Sequence, residues 1–129
     1  MNRNILLIED NAENRYLATF LLERSGWQVT PANDGPAGIE LAANGAPELI
    51  LLDIQLPGMD GYAVARKLRA DPKLNHVPIV AVTSYAMPGD RERCIEAGCD
   101  GYLEKPIDPD SFVREVESFA SSGRKGPRP

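Results

Sequence analysis

Glu48-Leu-Ile-Leu-Leu52, closed by Asp53, decides how this chain reads. Four consecutive apolar residues without alternation are too short for a helix and suit a strand buried on both faces. Similar runs flank it: Asn4-Ile-Leu-Leu-Ile8, Trp27-Gln-Val-Thr30, Val77-Pro-Ile-Val-Ala-Val82 and Gly101-Tyr-Leu103, each bounded by Gly, Pro, Asn or Asp. Amphipathic segments lie between them. Gly61, Val64, Ala65 and Leu68 share a helical face, as do Phe112, Val116, Phe119 and Ala120. Residues 14–24 are apolar over a broader face through Leu17, Phe20 and Leu21. Residues 36–43 are a weaker helix, and 87–98 the poorest, with Pro88, Gly89 and many charges. Asp60 is a good N-cap for the third helix, Asp108-Pro109 supplies a cap and a first-turn proline for the fifth, and Gly26 and Gly98 are plausible stops. Strict β/α alternation implies a parallel sheet with right-handed crossovers and helices on both faces.

The 129 residues (14.1 kDa, 43% apolar) suffice for one domain with a real core. Fourteen Lys and Arg against nineteen Asp and Glu give a net charge of −5, which excludes a general basic field for nucleic acid. No apolar run spans a membrane and no signal peptide is legible, so a reduced, soluble, cytoplasmic domain is expected. Cys94 and Cys99 are too few for a disulfide scaffold, and their offset fits no zinc knuckle. The expected domain covers residues 1–121, followed by a polar, disordered basic tail over 122–129.

In an open parallel sheet, function gathers at the carboxyl ends of the strands. Glu9 and Asp10 follow the first strand, Asp53 the third, Thr83 and Ser84 the fourth, Lys105 and Pro106 the fifth. Three carboxylates on one rim repel one another and call for a cation. Oxygen ligands without His or Cys select a hard ion, and Mg²⁺, or Mn²⁺ in its place, fits best. Lys105 adds a second positive centre and Thr83 a hydroxyl donor, so the rim suits a phosphoryl group neutralised from several sides. Asp53, on the middle strand, is the best-placed nucleophile.

With these residues in place, the chain resembles the receiver (CheY-like) domain of two-component response regulators. The resemblance is carried by Ile8-Glu9-Asp10-Asn11, Leu52-Asp53-Ile54-Gln55-Leu56-Pro57-Gly58-Met59-Asp60-Gly61, Ala81-Val82-Thr83-Ser84 and Gly98-Cys99-Asp100-Gly101-Tyr102-Leu103-Glu104-Lys105-Pro106. The stretch 86–93 resembles a subgroup holding DivK-type single-domain regulators and the receivers of hybrid histidine kinases. The resemblance implies an α/β, flavodoxin-like (βα)5 three-layer sandwich with strand order 2-1-3-4-5. It implies that Asp53 takes a phosphoryl group from a sensor histidine kinase or phosphotransfer protein. Asp10, Asp53 and the main-chain carbonyl of Gln55 would hold Mg²⁺, with Glu9 helping through water. Lys105 would hold a phosphoryl oxygen, aimed by a cis peptide before Pro106. Thr83 and Tyr102 would form the switch, read by a downstream protein on the face of the fourth helix, fifth strand and fifth helix. Small Ser84 would leave a path to Asp53. Gln55 and Tyr85 would flank the route of the hydrolytic water, and Tyr85 is expected to shield the acyl phosphate.

On this reading the chain is a phospho-acceptor switch, not an enzyme in the ordinary sense, that binds neither nucleic acid nor membrane and is a monomer or weak homodimer. It is expected to stand alone, since Met1 lies just before the first strand and the chain stops after the fifth helix. The alternative is a receiver cut from a multidomain regulator or hybrid kinase. A third reading, an aspartate-nucleophile phosphatase of the haloacid-dehalogenase type, needs an acid two residues after the nucleophile, where this chain has Gln55. His76 reads as a surface-loop residue. Tyr16, Phe20 and Trp27 read as core or edge packing, Asp90-Arg-Glu-Arg93 as a solvated helix face, and the cysteines as ordinary residues at a helix end.

Overall fold

The computed structural model describes residues 3–56, 58–84 and 88–122. Tyr85 and most of the expected tail, 123–129, lie outside the described residues; Ser122, placed in that tail, belongs to the last helix. The elements are β1 (Asn4–Ile8), α1 (Ala12–Arg24), β2 (Gln28–Ala32), α2 (Gly35–Asn44), β3 (Leu49–Asp53), α3 (Gly61–Arg69), a 3₁₀ turn (Pro72–Leu74), β4 (Ile79–Thr83), α4 (Asp90–Ala97), β5 (Gly101–Glu104) and α5 (Phe112–Ser122). The sheet is ordered β2-β1-β3-β4-β5 and every pairing is parallel. This is the flavodoxin-like arrangement.

Side chains alternate across a strand, so each continuous apolar run feeds both faces of the sheet. Leu6, Ile8, Ile50, Leu52, Ile79 and Ala81 pack under α2, α3 and α4. Their neighbours Ile5, Leu7, Leu49, Leu51, Val80 and Val82 pack under α1 and α5 with Leu21, Leu22, Phe112 and Val116. Two glycines let these layers close. A Cβ on Gly101 would overlap the Phe119 ring of α5, and one on Gly61 would overlap the backbone of Ile54 at the start of α3.

Caps match the turn chemistry in most places. Asn11 accepts from the Asn14 amide at 2.9 Å, Asp34 from Ala37 at 2.8 Å and Asp60 from Tyr62 at 2.9 Å. The fourth and fifth helices start later than expected. Gly89, at φ 90°, starts α4 without a side-chain cap. Asp108 instead opens a turn, its carboxylate accepting from the Asp110 amide at 2.9 Å and its carbonyl from Phe112 at 2.9 Å.

β2 also departs from the expected bounds: it runs through Pro31, which pairs in register with Leu7. An edge strand tolerates this because only its inner side needs donors. Trp27, just before it, is buried. Its indole N–H donates to Glu117 of α5 at 3.2 Å, and Arg3 lies over the ring at 4.4 Å while pairing with the same carboxylate. Tyr16 and Phe20 are not packing residues: they stand 73% and 47% exposed on the outside of α1, their rings 6.4 Å apart.

Candidate functional site

The strand order reverses between β1 and β3, and the crevice beyond their carboxyl ends is where an open α/β sheet binds ligands. β1 delivers Glu9 and Asp10 there and β3 delivers Asp53. One carboxylate oxygen from each lies within 4.8 Å of the others. Glu9 and Asp53 are buried and Asp10 is exposed, so the cluster opens to solvent on one side. The loops hold it in place. The Glu9 amide donates to Ala32 of β2 at 3.0 Å, the Asn11 amide to the Glu9 carboxylate at 3.1 Å, and Arg15 of α1 to the Glu9 carbonyl at 2.9 Å.

Lys105 supplies the countercharge. Its Nζ is 2.7 Å from Glu9 Oε1 and 3.3 Å from Asp53 Oδ2, with 8% of the side chain exposed. The Lys105 amide donates to the Thr83 carbonyl at 2.7 Å, which extends the β4–β5 ladder by one step, and the Lys105–Pro106 peptide is cis. Asp53 Oδ1 accepts from the Gln55 amide at 2.9 Å.

Burial first, and then the Glu9 carboxyl beside it, push the Asp53 carboxyl up to about 7 from an ordinary 3.8, against the pull of the Gln55 amide and Lys105. The folded metal-free chain therefore holds a proton here that the unfolded chain releases above 3.8. Stability from this group is present at low pH and is lost as pH rises toward 7, by on the order of 3 kcal/mol. Asp53→Asn mimics the protonated acid. Without divalent metal it is expected to unfold at higher urea than wild type at pH 8, and the gap is expected to close toward pH 4. A gap that does not vary with pH would contradict the account.

Gln55 does more than its place in the sequence shows. Its side-chain amide donates to Thr83 Oγ1 at 2.6 Å, and its Oε1 accepts from the Ser84 amide at 3.1 Å. The loop after β3 is thus clasped to the end of β4. Thr83 itself is buried and Ser84 exposed. Tyr102 is half-buried against the α4-side core. Tyr102 pairs with Ala81 and Glu104 with Thr83, so Tyr102 and Thr83 stand on one face of the sheet, a step apart.

The remaining residues sort by burial. His76 is exposed; Cys94 and Cys99 are buried with free thiols. Asp90 and Arg93 are not simply solvated: Tyr62 of α3 donates to Asp90 at 3.3 Å, and Arg93 lies 4.2 Å over the Tyr62 ring. Arg69 is a residue that sequence reading missed. From the end of α3 it reaches the carbonyls of Leu74 (2.7 Å) and Gly98 (3.0 Å) and the Asp100 carboxylate (2.8 Å). No helix among the described residues is long and apolar enough to cross a membrane.

The pattern of the response regulator receiver domain matches residues 5–117. The polar-differentiation response regulator DivK of Brucella ovis is 39% identical over 119 residues, covering 92% of this chain and 97% of that protein. The receiver domain of the Pseudomonas aeruginosa sensor histidine kinase PA1611, whose crystal structure has a magnesium ion coordinated in the active-site cleft, superposes with a TM-score of 0.85 at 36% identity, covering 94% and 99% of the two chains. Chemotaxis protein CheY4 of Vibrio cholerae superposes at 0.87 with 22% identity, covering 92% and 98%, a likeness of fold.

Proposed function

The chain belongs to the response regulator receiver family of two-component signalling, and from that premise we propose that Asp53 accepts a phosphoryl group from a phosphohistidine on a sensor histidine kinase or phosphotransfer protein. The observation that carries this is the buried Asp53 carboxylate, grouped with Glu9 and Asp10 and facing Lys105 at 3.3 Å. An Asp53 oxygen attacks phosphorus, the P–N bond breaks, and the imidazole leaves with the electron pair. Lys105 neutralises charge on the phosphoryl oxygens from the β5 side.

The side-chain donors fit a hard divalent ion: all three are carboxylates, one of them open to solvent. Glu9, Asp10 and Asp53, with the Gln55 main-chain carbonyl, are the groups that would hold Mg²⁺ or Mn²⁺. Such an ion supplies charge neutralisation for the incoming phosphoryl group. Thr83 then leaves the Gln55 amide for a phosphoryl oxygen, and Tyr102 follows it inward. The change is read on the face of α4, β5 and α5, where Ile95 is 45% exposed, by a downstream protein. We place this switch in the cytoplasm, as a monomer or weak homodimer acting without contact to nucleic acid.

The test is intact mass after incubation with a small phosphoramidate, with and without Mg²⁺, for wild type and Asp53→Ala. One phosphoryl group, dependent on Mg²⁺ and lost in the variant, is the expected result. No adduct, together with no spectral response to beryllofluoride and Mg²⁺, overturns the reading.

Gln55→Ala removes the acceptor of the Ser84 amide, the half of the clasp that remains once Thr83 has turned to the phosphoryl group. One net hydrogen bond is worth about 1 kcal/mol, or roughly fivefold in rate. The phosphorylated variant is therefore expected to hydrolyse roughly fivefold faster, followed by intact mass after donor removal. An unchanged half-life would show that the clasp does not screen water from the acyl phosphate.

A further inference from the structure

The two cysteines are nucleophiles that phosphoryl chemistry leaves unused. α4 ends at Ala97, and Gly98 follows with φ 109°. The Gly98 amide donates to the Ile95 carbonyl at 3.0 Å, and the Cys99 amide to the Cys94 carbonyl at 2.9 Å. These two bonds make a Schellman ending, in which the side chains at the ends of the bonded six residues meet. In this chain those ends are Cys94 and Cys99. The five-residue offset that fits no zinc knuckle is the offset of this motif.

The pair sits in a stiff cradle. The Gly98 carbonyl accepts from Arg69 Nε at 3.1 Å and Nη2 at 3.0 Å. Asp100 Oδ2 accepts from Arg69 at 2.8 Å and from the Ile79 amide at 3.0 Å. On the other side Cys94 lines a crevice of about 40 Å³ with Arg91, Ile95, Asp100, Gly101 and Tyr102. That volume admits a water-sized molecule.

We propose that Cys94 and Cys99 form a redox-active dithiol that a hydroperoxide closes to a disulfide, a modification site separate from Asp53. The Cys94 thiolate attacks a peroxide oxygen, the O–O bond breaks, and hydroxide leaves, protonated to water. Cys99 sulfur then attacks the Cys94 sulfenic acid, the S–O bond breaks, and a second water leaves with the Cys99 proton. Two electrons pass from the thiols to one hydrogen peroxide. The division of roles follows from the closeness of the two thiols, which lowers the Cys94 thiol and, with burial, raises that of Cys99. The bridge would tie the last turn of α4 to the residue leading into β5, so oxidation acts on the face that the phosphoryl switch also uses.

The test treats the reduced, folded full chain with hydrogen peroxide beside free N-acetylcysteine, then unfolds it and alkylates the remaining thiols. The expected product has lost two hydrogens, takes up no alkylating agent and yields a Cys94–Cys99 cross-linked peptide. Cys99→Ser is expected to stop at a Cys94 sulfenic acid that dimedone traps. The wild-type mass alone decides, so a serine variant that folds poorly does not blur the result. Both thiols alkylated after the N-acetylcysteine is fully oxidised, oxygen gained only at methionine, or a bridge between two chains would each overturn the proposal.

Discussion

Replacing Lys105 with methionine is expected to slow phosphoryl acceptance by roughly 10²–10³-fold, the cost of losing one preorganised group that stabilises developing charge. Lys105 is the cation facing Glu9 and Asp53, at 2.7 and 3.3 Å, and its side chain is almost fully enclosed. A phosphoryl donor brings further negative charge to that rim. Without the ammonium Asp53 keeps its proton more firmly, because Lys105 is one of the two groups that hold it down. A protonated Asp53 is a poor nucleophile and a poor metal ligand. The rate from a small donor, read by intact mass, is the measurement, and the deficit should shrink as pH is raised. Unchanged rates would mean that Lys105 serves only to compensate Glu9.

Arg69→Ala is expected to cost roughly 3–5 kcal/mol, the range for breaking a buried ion pair from one side. That is a large part of the roughly 5–15 kcal/mol that holds a domain together. The side chains of Arg69 and Asp100 are 13% and 9% exposed. Removing the guanidinium takes the cation from the Asp100 carboxylate and releases the Leu74 and Gly98 carbonyls at once. Lysine should rescue little, since one ammonium lacks the planar fork that serves several acceptors in fixed directions. Asp100→Asn should cost less, because an amide oxygen can still accept from the Ile79 amide and from Arg69. Urea unfolding of the three variants tests the order; a fall of under 1 kcal/mol for Arg69→Ala would contradict it.

The contrast between these two residues shows what was legible in the sequence. Lys105 could be read because it follows a strand directly, and a parallel sheet brings strand ends together whatever the helices do. The same logic placed Glu9, Asp10, Asp53 and Thr83 on one rim. Arg69 could not be read: it lies in a basic helix end, Arg66-Lys-Leu-Arg69, that looks solvated, and its partner is 31 residues away. Only the closing of α3 against the turn before β5 brings them together. The Gln55 clasp was hidden for a related reason, since it depends on how two loops meet. Tyr16 and Phe20 misled because aromatic residues ordinarily pay for burial; here Ala18, Leu21 and Leu22 fill that face of the core. Met87 lies outside the described residues; Pro88 and Gly89 read as helix in the sequence, but Gly89 at positive φ caps α4, which begins at Asp90. The 3₁₀ turn over Pro72–Leu74 was missed because Asp71, whose side chain accepts from the Lys73 amide, sits in a polar stretch without periodicity.

Pro31 has a consequence for how this molecule meets its own kind. The Gln28 amide donates inward to Arg3 at 2.6 Å, so the alternating donors of β2 that face outward belong to Val29 and position 31. Proline has no N–H, so one of those two outward donors is missing. The β2 margin of the sheet is therefore a poor template for a sixth strand, whether from another copy or from an unfolded neighbour. Copies of this chain that associate are thereby steered away from the β2 margin and toward the helical faces or the β5 side of the sheet.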